Sequence, residues 1–203
     1  MKKIILTVAL AMGLGVAGIN AQNVSKGVKA ETNMSNFILD DMPGVESGFG
    51  VGAGVGGFLK IDFGEYFSLQ PELLFHWQNS TLKQGGLESD IQYWGMEIPL
   101  YAVGQLTLEN NDRAYIGIGP YGRLGFSAKN TTADINLYDE IGGADAFMQR
   151  GDVGAGVMIG YEFAFGMQIN ASYKYGFLNV LDAGSDNSMM NNQMISFGIG
   201  YRF

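Results

Sequence analysis

From residue 26 to the C-terminus, large apolar side chains alternate with small or polar ones at a period of two, and no amphipathic helical stretch with start and stop signals interrupts the pattern. The last stretch shows it most plainly. Ile195, Phe197, Ile199, Tyr201 and Phe203 share one parity, while Ser196, Gly198, Gly200 and Arg202 share the other, so in a strand every bulky group points the same way. The same reading predicts eight strands, near residues 26–34, 46–61, 67–78, 91–106, 113–128, 150–163, 167–178 and 193–203. Lys26 at the first strand's start apart, the charges keep to the parity that carries glycine and serine.

The expected connections alternate in length. Those near residues 62–66, 107–112 and 164–166 are short, whereas 35–45, 79–90, 129–149 and 180–192 are long. Short turns on one side and long loops on the other, with an even strand count, are the layout of an outer-membrane barrel. Strands of about 11 residues, rising roughly 3.3 Å each and tilted near 40°, climb about 27 Å, which suits an apolar band of about 25 Å. Aromatics gather at strand ends on the apolar parity: Phe49, Trp77, Trp94 and Phe126 toward the long loops, and Phe67, Phe163, Tyr201 and Phe203 toward the short turns. Rings with an oily body sit well at the two interfaces. A soluble lipocalin-like barrel or β-sandwich would turn the apolar parity inward, and its outer face would need more Lys and Glu than the glycine-rich parity supplies. The expected fold is therefore an all-β, eight-stranded, antiparallel, up-and-down transmembrane barrel.

The N-terminus adds an export signal to this picture. Lys2 and Lys3 precede an apolar run from Ile4 to about Val16, and Ala21-Gln22 lies in a small-residue setting, so residues 1–21 read as a cleavable signal peptide and 22–203 as the barrel domain. Residues 1–21 hold two of the 12 basic and none of the 20 acidic side chains, so without them the net charge moves from −8 to −10. That charge disfavours nucleic acid as a partner. With no cysteine there is no disulfide framework and no thiol metal site. No cofactor is expected.

Four motifs resemble a known family, the small outer-membrane β-barrel domain labelled PorT-like. Residues 29–37 (KAETNMSNF) are similar to its first strand, usually read K-x-G-x-N-x-S-N, and Glu97-Ile98-Pro99-Leu100 to its EIPL strand. Residues 114–121 (AYIGIGPY) look like its fifth strand and Gly200-Tyr201-Arg202-Phe203 like its last. Glu31 stands where the family often has glycine, which places one more charge on the lumen parity. The resemblance implies an outer-membrane barrel whose terminal aromatics, Tyr201 and Phe203, signal to the barrel-assembly machinery. The family's name comes from a member tied to protein secretion, and most members carry no assigned role.

The lumen parity collects Lys29, Glu31, Glu72, His76, Glu97, Arg123, Arg150, Asp152, Lys174 and Arg202. Such near-balance inside a narrow barrel predicts paired ions and a plugged interior, because an unpaired buried charge is costly and eight strands leave room only for side chains. A gated proton or ion path through Glu72, Glu97 and Arg123 is the competing expectation. His76, the only histidine, reads as a hydrogen-bonded rim residue; alternatively it serves a lipid-modifying barrel enzyme with Ser80, Glu88 or Asp90. Residues 52–57 (GAGVGG) fit a dinucleotide fingerprint formally, but strand, not helix, follows them. The acidic long loops read as solvated surface, or as a site for a cationic partner or for divalent ions bridging lipopolysaccharide. The expected role is non-catalytic, structural or surface-interacting, in contact with outer-membrane lipid; the alternative is an accessory of secretion or envelope assembly.

Overall fold

The computed structural model describes residues 24–40, 44–84, 87–130, 135–139, 148–179 and 189–203, so the expected signal peptide lies outside the described residues. The strands are β1 Val24–Asp40, β2 Val45–Gly48, β3 Gly50–Asp62, β4 Phe67–Gln84, β5 Leu87–Thr107, β6 Arg113–Asn130, β7 Ile135–Asn136, β8 Gly151–Glu162, β9 Met167–Gly176 and β10 Met189–Arg202. β2 prolongs β3 past a break at Phe49, and β7 is a two-residue stub on β6. The remaining eight walls pair antiparallel in a ring, β1–β3–β4–β5–β6–β8–β9–β10, which closes where β10 pairs with β1 from Gly27↔Arg202 to Asp40↔Met189. Closure leaves no sheet edge across the membrane, the condition for a β-structure to survive in lipid. This is the barrel that the period-two pattern predicts.

Orientation follows the two parities. Val55, Ile118, Ile159 and Ile199 are each about 60% exposed, whereas Lys29, Glu72, His76, Glu97 and Lys174 are buried. The molecule is oily outside and ionic inside. Where bulky residues point inward, glycine on a neighbouring strand makes the space: Tyr115 lies opposite Gly160, Tyr121 opposite Gly154 and His76 opposite Gly54. A Cβ on Gly160 would sit 2.3 Å from the Tyr115 ring, and one on Gly154 would sit 2.1 Å from the Tyr175 carbonyl oxygen. The many glycines of the polar parity are thus the slots into which lumen side chains lie.

The short turns fall where expected, after Asp62, Thr107 and Glu162. Asp112 clasps two of them together, accepting the Tyr161 hydroxyl at 2.5 Å and the Ala164 N–H at 2.7 Å. Those donors, the hydroxyl first, hold its carboxyl below the usual carboxylate range.

The opposite side differs from expectation. Residues 35–40 and 45, expected within a long loop, are strand, as are 79–84 and 87–90. β4 and β5 stay paired out to Gln84↔Leu87, and β1 stays paired with β10 out to Asp40. Above the outer aromatic level the chain runs in water on both faces, so the alternation that marks the membrane strands fades while the hydrogen-bond ladder continues. Parity also shifts at two bulges. Between Gly52↔Gln78 and Gly48↔Thr81 the β2–β3 side carries one extra residue at Phe49, and β6 gains one at Phe126, between the pairs Gly95↔Gly125 and Trp94↔Ser127. Each bulge keeps its phenylalanine outward, and the second lets Ala128 turn inward although it shares the parity of Phe126.

Candidate functional site

The ionic interior forms two clusters with an apolar layer between them. In the central cluster, Lys29 Nζ lies 3.0 Å from Glu72 Oε2 and 3.3 Å from Glu31 Oε2. Arg123 donates from Nε and Nη2 to Glu97 Oε2 at 3.2 and 2.7 Å, and Lys174 donates to Glu97 Oε1. Lys174 also stands 3.9 Å from Glu31. Gln70 donates to Glu72 at 2.8 Å, and Tyr121 donates its hydroxyl to Asp152 at 3.0 Å. These side chains project from the polar parity of six strands, β1, β4, β5, β6, β8 and β9, so apart from the i, i+2 neighbours Lys29–Glu31 and Gln70–Glu72 it is the closing of the ring that brings them together.

His76 sits inside this cluster, 1% exposed, with Nε2 3.9 Å from Glu31 and 3.8 Å from Glu97 and Nδ1 3.4 Å from the Asn33 amide. Among the described residues its polar contacts are the Glu31 and Glu97 carboxylates and the Asn33 amide. Asp90 instead takes the Thr81 hydroxyl at 2.8 Å in the outer hairpin, and the Glu88 side chain lies outside the described residues.

At the periplasmic end, Glu162 is the hub. Lys60 reaches it at 3.1 Å, Gln168 at 2.7 Å, Arg202 through Nε at 2.9 Å and Nη2 at 2.8 Å, and Arg113 at 3.4 Å. Lys60 and Glu162 stand on the lumen parity beside the glycines of β3 and β8, so the signal for them was present in the pattern. The expected set included Arg202 but not the carboxylate that holds it. One expected member is misplaced: Arg150 precedes β8 at the outer rim, where it is half exposed, lies 3.4 Å from Asp139 and covers the Tyr138 ring at 5.1 Å. Its parity is that of Asp152, but the wall has not yet begun at Arg150, so parity there no longer means inward.

Tyr101, Val103, Tyr115 and Met158 form an apolar layer between the two clusters. A second layer, Phe37, Ile91, Ala128, Tyr138, Met148 and Met190, closes the outer mouth. There the inward parity turns from polar to apolar as the strands leave the membrane, which gives the outer end a small water-type core. Burial pushes the Tyr138 hydroxyl up to about 12. Tilted pairs of rings mark the interfaces: Trp77 and Trp94 with centroids 6.4 Å apart on the outer side, Tyr201 and Phe203 at 6.3 Å on the periplasmic side, where Lys26 lies 5.6 Å over the Phe203 ring.

A closed barrel of this size, apolar to its surroundings and ion-paired within, belongs to the class of outer-membrane proteins that cross by strands. The family model described as outer membrane protein beta-barrel domain matches residues 6–203, and the chain belongs to that family. Two solved structures share its fold. Neisserial surface protein A is 15% identical with a TM-score of 0.53, covering 89% of this chain and 99% of that one. OprG from Pseudomonas aeruginosa is 14% identical with a TM-score of 0.52, covering 89% and 94%. No curated protein matches the sequence. The protein is an integral component of the outer membrane.

Proposed function

We propose that the chain is a non-catalytic barrel that displays an interaction surface on its outer hairpins. The observation that carries this reading is the continuation of β4 and β5 past the Trp77–Trp94 level: residues 78–84, at about 3.3 Å per residue, project on the order of 20 Å beyond the outer girdle. The packed lumen beneath supports it, since side chains of the central cluster reach one another across the barrel and leave the hairpins as the part addressed to the outside. The barrel stands in lipid and lipopolysaccharide, with Tyr201 and Phe203 serving the barrel-assembly machinery and residues 1–21 removed as the signal peptide. Purified barrel with residues 79–90 replaced by a tight turn tests the surface role: the trimmed form still folds but loses capture of the partner that the full hairpin cross-links in intact outer membrane. Equal capture by both forms overturns it.

A second reading, accessory work in secretion or envelope assembly, rests on the PorT-like motifs at residues 29–37 and 97–100. Unaltered export of secreted proteins in a strain lacking the gene counts against it. Lipid modification through His76 is the weakest of the three, because the ring faces Glu31 and Glu97 deep in the lumen. A His76→Ala strain is expected to keep its lipid A profile.

A further inference from the structure

Beneath the apolar closure of the outer mouth lies a cavity of about 40 Å³, lined among others by Tyr93, Arg123, Ala128, Tyr138 and Asp152. Roughly 10–15 Å³ in this measure holds one water, so the space suits a group of about three or four heavy atoms. Tyr138 and Met148 pack over it, and Arg150 covers the Tyr138 ring and pairs with the Asp139 carboxylate.

Two donors at this cavity have no partner among the described residues. Arg123 spends Nε and Nη2 on Glu97, but its Nη1 has no acceptor although the residue is only 5% exposed. The Tyr93 hydroxyl is likewise buried and unpartnered, resting over Gly95, where a Cβ would lie 2.0 Å from its oxygen. Leaving such groups unpaired is costly, so a site holding them beside empty volume is built for an acceptor. Across the cavity, Asp152 offers Oδ1, which has no hydrogen-bond partner either, while its Oδ2 takes the Tyr121 hydroxyl.

Charge decides what kind of acceptor fits. The cations Lys29, Arg123 and Lys174 already face the carboxylates Glu31, Glu72, Glu97 and Asp152, before His76 is counted. An added anion would meet an excess of negative charge, whereas a neutral group with a carbonyl beside an N–H satisfies donor and acceptor together. We propose that this outer vestibule is a binding site for a small primary-amide group, its carbonyl oxygen accepting from Arg123 Nη1 and the Tyr93 hydroxyl, and its N–H donating to Asp152 Oδ1.

Full-length protein, refolded in detergent and verified by the mobility of the unheated band, tests this with acetamide as probe and acetate as its charged isostere. Saturation-transfer NMR is expected to show acetamide bound and acetate not. Tyr93→Phe, which removes only the unpartnered hydroxyl, weakens acetamide by roughly fivefold to tenfold, the loss of one hydrogen bond. Ala128→Leu, which fills the cavity, abolishes the transfer while the fold persists. Equal transfer to acetate, transfer that survives Ala128→Leu, or none to either probe, which leaves the cavity to water, overturns the proposal.

Discussion

At the scale of single residues, the interior is built from size complementarity between strands. The Gly154 position shows how little tolerance there is: its Cβ would meet both the Tyr175 carbonyl oxygen at 2.1 Å and the Tyr121 ring at 2.6 Å, and the first of these is backbone that the ladder holds in place. Gly154→Val is therefore expected to cost about 1–3 kcal/mol, read as a lowered urea midpoint in detergent, while Gly122→Val, where a Cβ meets nothing within 4 Å, leaves the midpoint unchanged. Charges behave by the same logic of mutual support. Glu97 is fully buried and serves both Arg123 and Lys174, so Glu97→Ala strips the buried Arg123 of its carboxylate and leaves Lys174 only Glu31 at 3.9 Å. The expected loss is about 3–5 kcal/mol, and a Glu97→Ala barrel as stable as the wild type would show that the pairs are incidental. Which residues face inward was legible from parity alone for Lys29, Glu72, Glu97, Arg123 and Lys174. Arg150 was not, because parity fixes a side only while the strand runs in the wall.

At the scale of elements, each strand reports its surroundings through its pattern. Inside the membrane one face meets acyl chains and the other a crowded polar lumen, so alternation is strong and the spans were readable. Above the outer girdle both faces meet water or a small local core. The stretch Asn79-Ser80-Thr81 is polar throughout, yet it pairs with residues 90–92 as regularly as any membrane strand. The Gly85-Gly86 pair is a hairpin signal that fits this pairing better than a long loop does. A direct check on orientation is a charge placed on the outward face: Ile118→Arg, at a position 62% exposed, is expected to cost about 2–4 kcal/mol at mid-membrane. The same substitution at Thr81, on the outer hairpin, costs far less. Equal costs at the two sites, measured by refolding into lipid vesicles, would mean that Ile118 does not face lipid.

For the molecule as a whole, the two apolar layers and the two ion clusters stack into a filled cylinder. The packed layer of Tyr101, Val103, Tyr115 and Met158 lies between Glu72 and Glu162 and narrows the lumen there, which bears directly on the competing idea of an ion path. Planar-bilayer recording of the refolded protein is expected to show no steady open-channel current. Sustained conductance that shifts on replacing Tyr101 would overturn the filled-cylinder account and restore a path through Glu72, Glu97 and Arg123.

The order of bulky and small residues determined, without any coordinates, that the chain crosses a membrane by strands, how many walls it has and which face is oily. These are local properties, set by the two-residue period of the strand and by what each face must touch. Only the closed structure decided which ions meet, because Lys174 and Glu97, or Lys60 and Glu162, lie far apart along the chain and come within reach only when the ring shuts. It also decided where the strands end and how the outer mouth is sealed, since in water the hydrogen-bond ladder can extend with no apolar alternation to announce it.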